Sequence, residues 1–164
     1  MVYHFQDTDH TGFEEYDVTG DDYIALIKFL FSKAKYLSLY LTEPNTSVEQ
    51  RSQPFAIECP SIITFDRPFS YWGVSRERIG EERYYQACPE LQDIFIQEVP
   101  SIMQWVDCWG CSNPTDPVFF REDGSLLFTS IIHEGYCDLY LNEGEEPPPL
   151  GLGWTCKKDI DVAF

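Results

Sequence analysis

The segment 118–142, VFFREDGSLLFTSIIHEGYCDLYLN, constrains the fold more than any other part of the chain. An Asp-Gly pair at 123–124 favours a tight type I′ turn, because both central residues of that turn need a positive φ. The tripeptide HEG at 133–135 is typical of a second turn, three residues long. Mostly apolar stretches flank both turns. The segment therefore predicts three antiparallel strands whose register is set by the two turns.

That register divides the side chains of the segment between two faces of a sheet. The first face is nearly all apolar and comprises Val118, Phe120, Leu127, Thr129, Ile131, Cys137, Leu139 and Leu141. The second face is aromatic with isolated polar groups and comprises Phe119, Arg121, Leu126, Phe128, Ser130, Ile132, Tyr136, Asp138 and Tyr140. We expect the first face to be core. We expect the second to be core where a helix covers it, and otherwise an aromatic patch that suits recognition of a protein partner.

Two other stretches have the apolar spacing of amphipathic helices. The first covers about 20–35, follows Thr19 as its cap and has two aspartates in its first turn. The second begins at Pro89 and keeps helical spacing to about 107. Pro100 lies inside that second pattern. Since proline removes one backbone hydrogen bond of a helix, we expect a kink or a break there.

The remaining extended segments are shorter and less regular. Alternation over Tyr36–Leu41 predicts a half-buried strand. Residues 56–65 are typical of another strand, with Pro60 at an edge or a bulge. A long irregular stretch follows over 66–85, and loops of that length are often functional. A weak terminal strand is predicted at 160–164.

These elements predict one α+β domain over residues 1–164, with a mainly antiparallel sheet of four to six strands packed against two main helices. The 164 residues suit a single domain, and 43% hydrophobic residues supply the material for a core. We expect residues 1–18 to form a loop or a short strand that docks its aromatic side chains.

The charge of the chain limits its partners. It has 28 acidic and 11 basic residues, which give a net charge of -17. That charge argues against nucleic acid, whose phosphates would be repelled, and against anionic membrane surfaces. A basic protein partner fits that charge, because complementary charge speeds encounter.

The sequence also indicates a compartment. With no secretory signal and no apolar run of membrane-spanning length, we expect a cytoplasmic protein whose six cysteines are free thiols.

Three short motifs are candidates for chemistry. Cys108 and Cys111 have the spacing of a zinc-binding or redox pair, but no second close pair follows, so we expect no metal and no cofactor. Residues 7–12 resemble the opening of an EF-hand loop, but the twelfth position of that loop is a valine, which favours an ordinary acidic turn. His133 beside Glu134 fits an acid–base pair, although a structural role is favoured at a turn.

Three functions follow from these features, in order of preference. The first is an acidic protein-binding module, an inhibitor or immunity protein that neutralises a basic toxin or enzyme. In size, charge and lack of a catalytic motif the chain resembles bacterial immunity proteins. Its predicted contact residues are Asp138, Tyr136 and Tyr140 in the meander, then Trp72 and Tyr71 in the irregular stretch.

The two alternatives belong to other classes. One is a structural zinc or thiol module that uses Cys108 and Cys111. The other is a small-molecule enzyme with a site near His133 and the arginine-bearing stretch 66–85. The chain has no nucleophile elbow and no phosphate-binding loop, so we assign no catalytic residue and disfavour an enzyme.

Overall fold

The structure is a computed structural model that describes residues 1–9, 11–41, 46–67, 80–108 and 111–157, with the backbone alone at 107–108 and 111–112. Within these residues the chain forms an antiparallel sheet of eight strands, a separate two-stranded hairpin and three α-helices. The predicted α+β class with an antiparallel sheet is confirmed. The predicted number of four to six strands was too low.

The large sheet contains strands from both ends of the chain. Its strands are β1 (Val2–Gln6), β2 (Tyr36–Leu41), β3 (Ala56–Ile57), β4 (Glu81–Gln86), β7 (Thr115–Phe120), β8 (Leu126–Ile131), β9 (Tyr136–Tyr140) and β10 (Trp154–Lys157). Their order across the sheet is β10-β1-β9-β8-β7-β2-β4-β3, and all neighbours are antiparallel. The hairpin is formed by β5 (Asp107–Cys108) and β6 (Cys111–Ser112).

The extra strands lie where the sequence pattern is weak. Strand β4 occupies the end of the stretch that was predicted to be irregular, and it pairs with β2 and β3. Only Ala56–Ile57 of the predicted strand 56–65 is extended in the sheet. Beyond it the chain turns, because the carbonyl of Pro60 accepts a hydrogen bond from the N–H of Ile63 at 2.9 Å. The predicted terminal strand at 160–164 lies outside the described residues.

The three α-helices are α1 (Gly20–Lys33), α2 (Ser47–Ser52) and α3 (Pro89–Glu98). The expected break at Pro100 is confirmed, because α3 ends at Glu98 and a single 3-10 turn follows at Ile102–Gln104. Helix α2 was missed within a polar stretch. Its start is fixed by Thr46, whose side chain accepts a hydrogen bond from the N–H of Glu49 at 3.1 Å.

The main core lies between the helices and one face of the sheet. Leu26 and Leu30 of α1 and Phe95 of α3 are fully buried there. The sheet contributes apolar residues from six strands to the same core: Phe5, Leu37, Tyr85, Phe119, Leu127, Phe128, Cys137 and Leu139. We call this side of the sheet the helix face. Its burial supplies most of the hydrophobic stabilisation of the fold.

The opposite side of the sheet has a smaller apolar cluster. Ile63 packs there on Val118 and Phe120, and Phe65 and Leu126 are partly buried around them. No helix residue belongs to this cluster within the described part of the chain. The side of the sheet opposite the helices is therefore covered over β7 by the segment that follows β3.

The meander is present as predicted, but the second turn differs from the prediction by one residue. Ile131 lies opposite Tyr136, so the connection is the four-residue loop 132–135. Phe128 consequently lies opposite Leu139. Because side chains alternate along a strand, this one-residue difference exchanges the faces of β9. Cys137 and Leu139 point to the helices together with Phe119 and Phe128, which the prediction had placed on the other face.

The first turn is also of a different type. Gly124 has the predicted positive φ, +80°, but Asp123 does not share it, so the turn is not type I′. The N–H of Arg121 donates to the carbonyl of Ser125 at 2.9 Å and closes a three-residue loop. A register shift then places Phe119 opposite Phe128, as predicted.

Candidate functional site

Strand β9 holds the three contact residues that the sequence predicted within the sheet. Tyr136, Asp138 and Tyr140 alternate along the strand, so they point to the side of the sheet away from the helices. Each of the three side chains is partly exposed. The other two predicted contact residues, Tyr71 and Trp72, lie outside the described residues.

Neighbouring strands add a histidine and a threonine to this surface. His4 of β1 and Thr129 of β8 both lie opposite Asp138. The hydroxyls of Thr129 and Tyr140 are 3.5 Å apart. We call the group of five side chains the β9 face: His4, Thr129, Tyr136, Asp138 and Tyr140.

His4 and Asp138 are in close polar contact at the centre of the β9 face. The Nδ1 atom of His4 is 2.7 Å from the Oδ1 atom of Asp138, and the two side chains are 20% and 23% exposed. The His4 ring also lies beside the Tyr136 ring, with centroids 5.7 Å apart. Sequence reasoning missed His4, although the alternation in Val2–Gln6 would have indicated a strand and hence a face for it.

Asp116 is a buried carboxylate at one end of this region. It has a φ of +51°, which is uncommon for a residue other than glycine, and its side chain is fully buried. Its Oδ1 atom accepts a hydrogen bond from the N–H of Ile132 at 2.7 Å. Its Oδ2 atom has no hydrogen-bond partner among the described residues. Since native proteins rarely leave a buried oxygen in this state, Asp116 marks a candidate functional position.

His133 lies next to that oxygen. Its Nδ1 atom is 3.9 Å from the Oδ2 atom of Asp116, and its Nε2 atom is 3.8 Å from the Oε1 atom of Glu134. Burial raises the pKa of Asp116 to about 6, against the opposing effects of Arg67, the Ile132 N–H and His133. A carboxyl with such a pKa exchanges its proton near neutral pH. The sequence indicated His133 but gave no sign of Asp116, which approaches His133 only in the folded chain.

Arg67, near the start of the arginine-bearing stretch, contacts the backbone of the same residue. Its Nη2 atom donates to the backbone carbonyl of Asp116 at 2.5 Å, and its Nε atom donates to Glu82 at 2.6 Å. Arg67 is only 4% exposed. The structure therefore joins the two regions, His133 and the arginine-bearing stretch, that the sequence proposed as parts of one site.

The phenol of Tyr136 is affected both by the charge of Asp116 and by that of Asp138 on the β9 face. Burial raises the pKa of Tyr136, and the charges of Glu134, Asp138 and Asp116 raise it further. Three carboxylates thus act on one phenol.

The loop 132–135 is fixed by a close approach between Gly135 and Asp7. Gly135 has a φ of +78°, and the Asp7 carboxylate occupies the space that a Cβ atom would need. The N–H of Asp7 donates to the carbonyl of Gly135 at 2.7 Å. Glycine is therefore required here for both its backbone conformation and its size.

A second acidic surface lies around the segment 15–17. Two grooves of about 290 and 460 Å³ flank this segment, and their acidic lining comprises Asp7, Glu15, Asp17 and Asp22. Phe13 is 91% exposed nearby in the sequence, so the expectation that the N-terminal aromatic side chains are docked is wrong for this residue. Phe5 is buried as expected.

The other motifs have simpler surroundings. Cys108 and Cys111 occupy opposing positions of the β5–β6 hairpin, and their side chains lie outside the described part of the structure. The carboxylate of Asp9 accepts hydrogen bonds from the Thr11 hydroxyl at 2.6 Å and from the Phe13 N–H at 3.1 Å, within its own turn. Among the described residues no group of three or more His, Cys, Asp or Glu side chains is placed to hold a metal ion.

Four cysteines with described side chains are free thiols: Cys59, Cys88, Cys137 and Cys156. Burial raises the pKa of Cys137 and of Cys88. Since the thiolate is the reactive form, neither of these two has the character of a nucleophile.

No protein-family model matches the chain, and comparison with curated proteins and with solved structures found no match. Within the described ranges no helix combines the length and the apolar character needed to cross a membrane.

Proposed function

We propose that this protein is an acidic protein-binding module, an inhibitor or immunity protein that neutralises a basic toxin or enzyme. The observation that carries the proposal is the β9 face, where the partly exposed rings of Tyr136 and Tyr140 flank the carboxylate of Asp138. Tyrosine is enriched among the residues that dominate binding energy at protein interfaces. The net charge of -17 supports a basic contact surface on the partner.

Charged groups and tyrosine rings on this surface would contribute to binding in different ways. Exposed charges act over about 8 Å at physiological ionic strength, so they steer the encounter and set its rate. The tyrosine rings present a large area with only two rotatable side-chain bonds, so little conformational entropy is lost when they are buried against a partner. The phenol hydroxyls then remain available for hydrogen bonds at the edge of the contact.

Affinity capture from the native host, at low and at high salt, tests this proposal. We expect one basic protein to be retained by the wild-type chain, with an association rate that falls as salt rises. A bait carrying Tyr136→Ala should lose it, whereas a bait carrying Phe13→Ala, which removes an exposed ring elsewhere, should retain it. If no protein is retained, or if the retained one presents an acidic surface with salt-independent kinetics, the proposal is wrong.

A small-molecule enzyme is the second candidate, and one observation favours it. Asp116 has the buried setting, the positive φ and the raised pKa that are common at catalytic positions, and it lies 3.9 Å from His133. His133 would act as the general base or acid, and Asp116 would orient its ring. A panel of activated esters and phosphate esters gives a first test. Turnover by the wild type that disappears in His133→Asn would favour this candidate over the binding module.

A further inference from the structure

We propose that the peptide bond between Asp116 and Pro117 is a self-cleavage site, at which the Asp116 carboxyl group attacks its own backbone carbonyl and releases Pro117 as a new N-terminus. This is the one Asp-Pro pair in the sequence. The side-chain carboxyl of an aspartate can close a five-membered ring on the carbonyl carbon of its own residue, so the chain itself holds the two reacting groups together. The reaction needs no partner protein and no reactant other than water.

The first support is the backbone conformation of Asp116. Its φ of +51° is uncommon for a residue other than glycine, and a residue before proline normally has an extended conformation with a negative φ. The next residue is held in place, because the Ser130 hydroxyl donates to the carbonyl of Pro117 at 2.8 Å. Sparsely populated backbone conformations of this kind are strained and cluster at functional sites. Breaking the bond releases the clash between Asp116 and the proline ring.

The second support is the state of the carboxyl group that would attack. The Asp116 side chain is fully buried, and its Oδ1 atom is held by the N–H of Ile132 at 2.7 Å. Its Oδ2 atom has no hydrogen-bond partner among the described residues, so the lone pairs of that atom are available for attack. His133 lies beside it with its Nδ1 atom at 3.9 Å, in a position to take a proton from Oδ2.

The third support is a buried cation on the carbonyl group that would be attacked. The Nη2 atom of Arg67 donates to the backbone oxygen of Asp116 at 2.5 Å, and Arg67 is 4% exposed. Glu82 fixes the same guanidinium through its Nε atom at 2.6 Å. A guanidinium in this position polarises the carbonyl and stabilises the negative charge that develops on its oxygen, as the donors of an oxyanion hole do.

The reaction has two steps and consumes one water molecule. In the first step Oδ2 bonds to the carbonyl carbon of Asp116, and its proton passes by way of His133 to the nitrogen of Pro117. The C–N bond then breaks with its electron pair on that nitrogen, which is more basic than other backbone nitrogens and so takes the proton more readily. In the second step water opens the cyclic anhydride and leaves Asp116 with two carboxyl groups. Nothing is oxidised or reduced.

The rate should follow the acid form of Asp116, which carries the proton that the leaving nitrogen needs. Burial raises the pKa of Asp116 to about 6, while Arg67 and His133, the charged or ionisable groups that face it from other segments, lower the pKa. Two further ionisable groups belong to this surrounding: Tyr136, whose pKa the Asp116 charge raises, and Glu134, which is 3.8 Å from His133. We expect the rate of cleavage to rise as pH falls from about 8 to about 5, with its midpoint near 6.

The experiment is incubation of the purified full-length chain at pH 6, both folded and unfolded in urea, followed by mass spectrometry of the intact chain and its fragments. We expect fragments 1–116 and 117–164 to form about a hundredfold faster in the folded chain, at a rate independent of protein concentration. Added hydroxylamine should convert the new C-terminus into a hydroxamate, because it traps the anhydride. The proposal is wrong if the folded chain cleaves at this bond no faster than the unfolded chain.

Variants test the two groups that the mechanism assigns. Asp116→Asn should abolish cleavage, because an amide is a far weaker nucleophile and asparagine still tolerates the positive φ. Arg67→Gln removes the donor on the carbonyl oxygen and should slow cleavage about hundredfold.

The matched control for Arg67→Gln is Arg121→Gln, which removes another largely buried guanidinium that donates to a backbone carbonyl, that of Tyr140 at 3.1 Å. It should change the rate less than about twofold, because it leaves the carbonyl of Asp116 untouched. Equal slowing in the two variants would reject the mechanism. If a variant fails to fold, the wild-type pH profile still decides, and a rate that does not rise as pH falls through 6 would overturn the proposal.

Discussion

The two sides of strand β9 differ in almost every property although their residues alternate along one chain segment. Cys137 and Leu139 point to the helices and are fully buried in apolar surroundings. Tyr136, Asp138 and Tyr140 point the other way, are partly exposed and contact polar groups. The comparison teaches that one strand can place its apolar residues in the core and its polar and aromatic residues on the surface.

The two sides are also held together by different forces. The helix face is stabilised by apolar burial and by rings in edge contact, such as those of Phe119 and Phe128 with centroids 6.1 Å apart. The β9 face relies on paired polar groups, of which His4 with Asp138 is the closest. Partly exposed ion pairs contribute little to stability. Substitutions on the two sides should therefore have effects of very different size.

The largest effect is expected for Leu139→Ala. Because Leu139 is fully buried in the main core, we expect the free energy of unfolding to fall by about 2–5 kcal/mol. Its neighbour Asp138 provides the control, and Asp138→Asn should change that free energy by less than about 1 kcal/mol. Urea denaturation of both variants measures the difference. Similar losses in the two would show that the faces are not divided as described.

The next effect concerns Asp116 and depends on pH. Its pKa is raised from 3.8 to about 6 in the folded chain, so the folded state binds the proton more tightly than the unfolded state. The contribution of this group to stability is therefore fully present below about pH 4 and is lost as pH rises through about 6. The loss amounts to about 3 kcal/mol.

Asp116→Asn isolates that contribution. Asparagine tolerates a positive φ and can still accept the hydrogen bond from the Ile132 N–H. We expect the variant to lack the loss of stability between pH 4 and pH 7 that Asp116 causes in the wild type. The measurement is urea denaturation at a series of pH values, with the variant subtracted from the wild type. Parallel pH profiles for the two proteins would contradict the assignment.

A smaller effect is expected at the loop that carries His133. Gly135→Ala introduces both an unfavourable φ and a clash with the Asp7 carboxylate, and should lower the free energy of unfolding by about 2 kcal/mol. Gly144 has a similar φ, +82°, with nothing close to its missing Cβ atom. Gly144→Ala should therefore cost only about 1 kcal/mol. Equal losses would show that the Asp7 contact contributes nothing.

The last prediction concerns metal binding by Cys108 and Cys111 and no change in stability. The Cys108 and Cys111 spacing lacks a second pair of ligands in the sequence, so we predict no stoichiometric zinc in protein purified without chelator. Elemental analysis of the wild type and of Cys111→Ser provides the check. Zinc bound to the wild type and absent from the variant would favour the zinc module over the binding module.

The sequence predicted most of the fold where local signals were strong. The helix that ends before Pro100, the strand Tyr36–Leu41 and the three strands of the meander follow from spacing and turn residues. The face of β9 did not follow, because a loop of three residues and a loop of four residues fit the same HEG signal and give opposite faces. Strands β1 and β10 were missed or underestimated because their pairing joins opposite ends of the chain.

The candidate site could be predicted only in part, because some of its residues meet only through the pairing of distant strands. Tyr136, Asp138 and Tyr140 share a face in any register, since they alternate along one strand. His4 and Asp116 reach the site only through strand pairing and a positive φ, which no short-range pattern encodes. Long-range contacts of this kind decide which polar residues meet.

The most direct test of the central claim is the dissociation constant of the captured partner for Tyr136→Ala and for Phe13→Ala. Both substitutions remove an aromatic ring, one from the β9 face and one that is 91% exposed beside the acidic N-terminal segment. We predict that Tyr136→Ala weakens binding by about thirtyfold or more, as loss of a dominant interface residue does, and that Phe13→Ala changes it less than about twofold. A large loss for Phe13→Ala with none for Tyr136→Ala would contradict the claim and place the partner on the acidic grooves instead.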